Sequence, residues 1–147
     1  MTDLHALFVN LPVLTFDDGD IVLGEGKKAP GMYFLKSGKV SFYRGSELVS
    51  EQAEVGTAVG DVAVLLECPS LATARAVGAT CFYFVEDAEA FLLTQPAIAV
   101  HVSRGLAKKL HFIGAYLTDV KQQYAGTGNH LSMVNDVLDS FINSKKH

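Results

Sequence analysis

The stretch "VGDVAVLLECPSLATARA", residues 59–76, opens on a glycine and a carboxylate, runs through a small apolar turn and returns to strand-forming residues. That is the outline of a loop that holds a phosphate with backbone N–H groups. Such a loop needs a cation to balance the charge. None is present in its body, since no Lys or Arg occurs between Gly60 and Ala74. The rest of the chain has to say whether this is a phosphate cradle or one that has lost its phosphate.

On the N-terminal side, from Val13 to Glu86, short runs of β-branched and aromatic residues alternate with turn-forming residues. "VLTF", "DIVL", "MYFLKSG", "KVSFYRG", "ELVSEQA", "TARAV" and "TCFYFVE" read as strands. "FDDGD", "GEGKKAPG", "KSGK" and "YRGSE" read as turns. Many short strands at near-regular spacing imply a β-sandwich, roll or barrel. Before them, Leu4, Leu7, Phe8 and Leu11 lie at helical spacing, with Thr2 or Asp3 as the cap and Pro12 as the stop.

On the C-terminal side "VEDAEAFLLTQ" returns to helix and Pro96 restarts it, giving one long helix over residues 97–124. Ala99, Ser103, Leu106, Leu110, Ile113, Leu117, Val120 and Tyr124 step alternately by four and three. That is a heptad seam, narrower than the stripe of a helix lying on its own domain. It predicts a homodimer through Leu106, Leu110, Ile113, Leu117, Val120 and Tyr124. Ile98, Val102, Phe112 and Tyr116 lie off the seam and could pack on the β unit. "AGTGN" ends the helix. Leu131, Val134, Val137 or Leu138, and Phe141 then form one apolar face behind an Asn129 cap, a surface over 129–142 for the long helix or for a protein partner. The domain reading is residues 1–124, including the helix 97–124, followed by a linker and short helix over 125–147.

The 147 residues suffice for one domain with a real core, and 49% hydrophobic with 19% charged residues excludes a disordered chain. A formal net charge of −4 argues against general nucleic-acid binding. No apolar run reaches membrane-spanning length, and the N-terminus has neither a basic n-region nor a cleavage site, so a cytoplasmic protein is expected. Cys68 and Cys81 lack metal or redox spacing and read as buried or half-buried free thiols. None of the five histidines falls in the β-rich region, which disfavours a metal-dependent β-barrel enzyme. His101 and His111 point roughly 80° apart on a helix, so they are not a metal pair and suit surface or interface roles. No metal site, no required cofactor and no enzymatic nucleophile arrangement is read.

On these residues the chain resembles the cyclic nucleotide-binding domain family, the sensor domains of catabolite-activator and Fnr-type regulators, kinase regulatory subunits and gated channels. The resemblance covers Leu4 to Tyr124. In the first half Gly19, Gly26, Tyr33, Gly38 and Val40 carry it; in the second, Gly56, Gly60, Asp61, Ala63, Leu65, Pro69, Ala72 and Ala76 fall in register with the family's phosphate-binding cassette. The implied fold is mainly β with flanking helices: an eight-stranded β-roll, jelly-roll-like, with an N-terminal helix and a long C-terminal dimerisation helix.

The resemblance also implies roles. Gly60 lets the backbone approach a ribose phosphate. Asp61 stands where the family more often has Glu, accepting from the ribose 2′-hydroxyl. Val62 and Ala63 present N–H groups. Ser70 stands where the family has an Arg, and Leu71 where it has a small residue. Tyr116 is a candidate lid on a purine base. Each has a structural alternative: Asp61 as a cap of "VAVLL", Ser70 as a strand-edge hydroxyl, Tyr116 as packing. Phe82 and Phe84, alternating with Tyr83, read as core.

Replacing a guanidinium by a hydroxyl exchanges a contact of roughly 1.5–3 kcal/mol for one of roughly 0.5–1.5. Binding then weakens by about tenfold to a hundredfold. Arg75, five residues on, is expected to point to the opposite face. Lys27, Lys28 and Lys36 are placed in distant turns, from which they could reach over the mouth of the site. The expected function is a sensor domain that binds cyclic AMP or cyclic GMP weakly, or another small molecule; the alternative is a non-sensing scaffold that docks a partner. Direct DNA binding is not expected, because only 23 residues follow Tyr124.

Overall fold

The computed structural model describes residues 4–123, 135–137 and 139–140. The chain divides into two units, Met1–Val102 and Ser103–His147.

The first unit begins with α1 (Leu4–Phe8). It is shorter than the apolar spacing predicts: Leu11 N donates to Phe8 O at 2.9 Å, so the chain leaves the helix in a turn before Pro12. The strands follow as β1 (Val13–Phe16), β2 (Ile21–Leu23), β3 (Met32–Arg44), β4 (Glu47–Gln52), β5 (Ala58–Val59) and β6 (Thr73–Val85), with α2 (Asp61–Leu65) between the last two. Then come α3 (Ala88–Thr94) and α4 (Pro96–Gln123). Asp87 caps α3, its carboxylate accepting from Ala90 N at 3.3 Å.

The strands form one antiparallel six-stranded sheet of order β1-β6-β3-β4, with β2 on β6 and β5 on β3. The architecture agrees with the mainly β roll and flanking helices expected. The strand count is six rather than eight because β3 and β6 each run for 13 residues through two of the runs read from the sequence. "KSGK" is therefore not a turn. Gly38 (φ +92) sits where the β3–β6 register shifts twice, between Leu35 and Ser37 and between Ser37 and Lys39, so the chain bulges and continues. The two-residue strand β5 had no signal of its own, being too short for any alternation to develop.

Alternation along β3 separates two cores. Tyr33, Leu35 and Val40 face the interior of the roll with Val22, Leu23, Val59, Ala74 and Phe82; Phe16, Ala29, Phe42 and Phe84 close around them. Phe34 faces the other way, where Phe8 stacks on it at 4.6 Å and on Tyr83 at 5.2 Å. Met32, Val85, Ala88, Ile98 and Val102 are also buried. Burying one such side chain contributes about 1.5–3 kcal/mol, so Phe8 anchors α1 although the helix has only five residues. Burial of "MYFL" on both faces explains why that run shows no polar alternation.

Within the second unit α4 continues to Gln123. Leu110 and Ile113 are 46% and 44% exposed, and Leu106, Leu117 and Val120 are half-buried. Ile98 and Val102 are buried as expected, and Phe112 and Tyr116 are exposed. The latter two lie on turns of α4 beyond the last buried position, Val102. Tyr124, Asn129, Leu131, Val134, Leu138 and Phe141 lie outside the described residues; Val137 is helical and exposed.

Candidate functional site

Gly60 starts the site. It caps α2 in the left-handed region (φ +87), and a Cβ there would lie 3.0 Å from Gly31 O and 3.6 Å from both Ala29 Cβ and Leu23 Cδ2. Only glycine combines that φ with so close an approach. The turn delivers Asp61 as the first residue of α2, 5% exposed. Asp61 does not act as the cap, a role Gly60 takes through its backbone. Val64 N donates to Gly60 O at 2.9 Å, while among the described residues no chain carbonyl accepts from the N–H groups of Val62 and Ala63. Two backbone donors and one buried carboxylate thus share a single turn.

The far end of the cassette is organised by Ser70. Its Oγ donates to Ala72 O at 2.7 Å and accepts from Ala72 N at 3.4 Å. Its one hydroxyl proton is therefore engaged within its own turn. Its backbone pairs with the turn after β2: Gly26 N donates to Ser70 O at 2.8 Å, and Ser70 N donates to Lys27 O at 2.9 Å. Lys27 and Lys28 are accordingly beside the cassette, not in a distant turn. The sequence could not reveal this, because the two segments are more than forty residues apart and meet only through these backbone bonds. The glycine-flanked lysine pair in "GEGKKAPG" is the one local signal.

The other cations lead elsewhere. Ala74 and Ala76 are buried and Arg75 between them is exposed. Arg75 Nη1 donates to Gly19 O at 3.2 Å and its guanidinium lies 6.0 Å from the Tyr43 ring centroid, as the alternation predicted. A cavity of about 310 Å³ opens there, between Tyr43, Gly45, Ser46, Thr73 and Arg75. Lys36 Nζ lies 5.6 Å over the ring of Tyr83, on the helix side of the sheet. Leu71 and Tyr116 are each 60% exposed.

Inside the roll, Tyr33 lies 4.9 Å from Phe84 and 6.0 Å from Phe82, with Phe16 edge-on to both Tyr33 and Phe82. Burial desolvates the Tyr33 phenol and raises its pKa above the usual tyrosine value. Tyr33 pairs in register with Val59, the residue before Gly60. His101, read as a surface or interface residue, is instead half-buried at the start of α4. Its Nε2 lies 2.6 Å from Gly56 O, and its ring meets Phe8 edge-on at 6.4 Å. His5 Nδ1 similarly lies 2.8 Å from the Tyr83 hydroxyl. No helix among the described residues is long and apolar enough to cross a membrane.

Comparison with known proteins agrees with this geometry. The family model described as "Cyclic nucleotide-binding domain" matches residues 13–93, from β1 to α3. The HTH-type transcriptional regulator Cmr of Mycobacterium tuberculosis (strain CDC 1551 / Oshkosh) is 34% identical over 102 residues, 66% of this chain and 42% of that protein, so this chain spans less than half of its relative. Among solved structures, a transcriptional regulator of Thermotoga maritima superposes with a TM-score of 0.68 at 16% identity, covering 81% of this chain and 98% of the other. PKAR CBD2 with bound Sp-2Cl-cAMPS superposes with a TM-score of 0.58 at 19% identity, covering 67% and 66%. With its roll, its glycine-capped cassette turn and a match over more than half its length, the chain belongs to the cyclic nucleotide-binding domain family of regulatory domains.

Proposed function

We propose that this chain is a ligand-sensing regulatory domain that works as a homodimer. A cyclic nucleotide, or another small phosphorylated molecule, sits against the Gly60–Ala63 turn and is held weakly. Asp61 accepts from a ligand hydroxyl, and the N–H groups of Val62 and Ala63 donate to the phosphate. Ser70 and Leu71 border the site without a guanidinium. The dimer forms through Leu106, Leu110, Ile113, Leu117, Val120 and Tyr124. The observation that carries the reading is the turn itself: a left-handed Gly60, a buried carboxylate, and two N–H groups from which no chain carbonyl among the described residues accepts, in consecutive positions. Sp-2Cl-cAMPS bound to PKAR CBD2 supports a cyclic nucleotide as the first ligand to try. Calorimetry of the full chain with cyclic AMP and cyclic GMP tests it, with weak binding expected; no heat and no thermal shift at millimolar ligand would reject it.

A second reading is favoured by two other observations. The Ser70 hydroxyl is engaged with Ala72, and Tyr33, Phe82 and Phe84 pack together in the roll interior. On that reading the domain is a scaffold, with residues 129–142 docking a partner protein. Capture of a partner that depends on those residues, with no nucleotide effect, would favour it over sensing.

A further inference from the structure

The segment Leu23–Gly31 touches both ends of the cassette. At the opening, Gly31 O lies 3.0 Å, and Ala29 Cβ and Leu23 Cδ2 each 3.6 Å, from where a Cβ on Gly60 would stand. At the close, Gly26 and Lys27 hydrogen-bond the backbone of Ser70 on both sides. Between these anchor points the segment carries Lys27 and Lys28. Both are exposed, and among the described residues neither has an ion-pair partner. The other cations considered for the site are directed elsewhere: Arg75 to Gly19 O and Tyr43, Lys36 to Tyr83, and Lys39 to Glu51 at 3.8 Å. Gly24 leaves room for the Lys27 stem, whose Cγ would lie 3.1 Å from a Cβ at that position.

We propose that Lys27, with Lys28 beside it, supplies from across the loop the positive charge that the cassette lacks at Ser70, so that the site selects phosphate-bearing anions through lysine rather than arginine. This rests on the sensing reading above. The change of cation has chemical consequences. An arginine fork fixes a phosphate through two parallel hydrogen bonds, whereas an ammonium on a flexible four-carbon stem acts as a hydrated point charge. Recognition by Lys27 and Lys28 depends on the ligand's charge more than on the orientation of its phosphate oxygens. Because both lysines face solvent, their attraction for the ligand is screened by salt. The site therefore discriminates charged from uncharged nucleosides better than it discriminates one phosphate geometry from another.

The test is calorimetry of the full chain with cyclic AMP, cyclic GMP and uncharged adenosine, at low and raised salt. The wild type, the Lys27→Ala/Lys28→Ala double variant and Lys27→Arg are compared. The wild type is expected to bind cyclic nucleotide with an affinity that falls as salt rises. The double variant should lose about tenfold or more for the cyclic nucleotides and nothing for adenosine, at an unchanged melting temperature. Lys27→Arg should retain binding. Equal cyclic-nucleotide affinity in the wild type and the double variant overturns the proposal and leaves the sensing reading standing. Equal losses for adenosine and cyclic AMP also overturn it, because the lysines then do not act through charge. Absence of any cyclic-nucleotide binding by the wild type removes both the proposal and the reading beneath it.

Discussion

The imidazole Nε2 of His101 lies 2.6 Å from the carbonyl oxygen of Gly56. Gly56 is in turn paired to β3, its N–H donating to Leu35 O at 2.8 Å, and Thr57 O accepts from Leu35 N at 2.9 Å. The strand β5 and then Gly60 follow at once. The first turns of α4 are thus hydrogen-bonded to the segment that leads directly into the cassette. A Cβ on Gly56 would lie 2.8 Å from His101 Nε2 and 2.9 Å from Leu4 Cδ1, at φ +89. Gly56→Ala should therefore destabilise the protein by about 1–3 kcal/mol, and His101→Ala by about 0.5–1.5 kcal/mol through the lost hydrogen bond. Urea unfolding of the two variants checks both values. A Gly56→Ala protein as stable as the wild type would show that the contact is not constraining.

Ser70→Arg places a guanidinium where the family resemblance expects one. Cyclic nucleotide affinity should rise by about tenfold to a hundredfold, measured by calorimetry beside Ser70→Ala, which removes only the hydroxyl bonds to Ala72. A rise seen equally in Ser70→Ala would assign the weakness to the serine turn instead of the missing charge.

Tyr33 contributes to the alkaline limit of stability. Its folded-state pKa is raised by burial, so the unfolded chain releases the phenolic proton at a lower pH than the folded one. Stability is therefore unaffected by this group below the ordinary tyrosine value and declines as pH rises through it towards the folded value. Tyr33→Phe, which cannot ionise, should lose less melting temperature than the wild type between about pH 8 and pH 11. Parallel decline of the two proteins would contradict this.

Ser41 is buried on β3 and its hydroxyl has no hydrogen-bond partner among the described residues. An unsatisfied buried hydroxyl costs about 1–3 kcal/mol. Ser41→Ala should accordingly be as stable as the wild type or more so in thermal unfolding, and a clear loss would mean that the hydroxyl makes a contact of its own.

The heptad seam of α4 predicts an oligomer that depends on Leu110 and Ile113, both substantially exposed within one chain. A Leu110→Asp/Ile113→Asp pair should convert a dimer to a monomer in light scattering, without loss of β-sheet circular dichroism. Unchanged mass in the variant would exclude the seam as the interface.

Much of this was legible along the chain because it rests on neighbouring residues. Turn residues at "FDDGD" and "YRGSE", strand-forming runs, the restart at Pro96 and the glycine and carboxylate of "VGD" are local conformational preferences, and short-range sterics act the same way in any fold. The alternation that puts Ala74 and Ala76 inside and Arg75 outside is likewise a property of one strand. What only the tertiary structure decided was which distant backbones meet. Long-range pairing carried β3 through "KSGK", because the bulge at Gly38 left the ladder with β6 intact on either side. Packing against Phe8 and Phe34 drew His101 from the surface onto Gly56. Two backbone hydrogen bonds brought Lys27 to Ser70. Such contacts depend on chain closure over dozens of residues, which no local pattern encodes, and that is why the cassette could be read from the sequence while its neighbouring lysines could not.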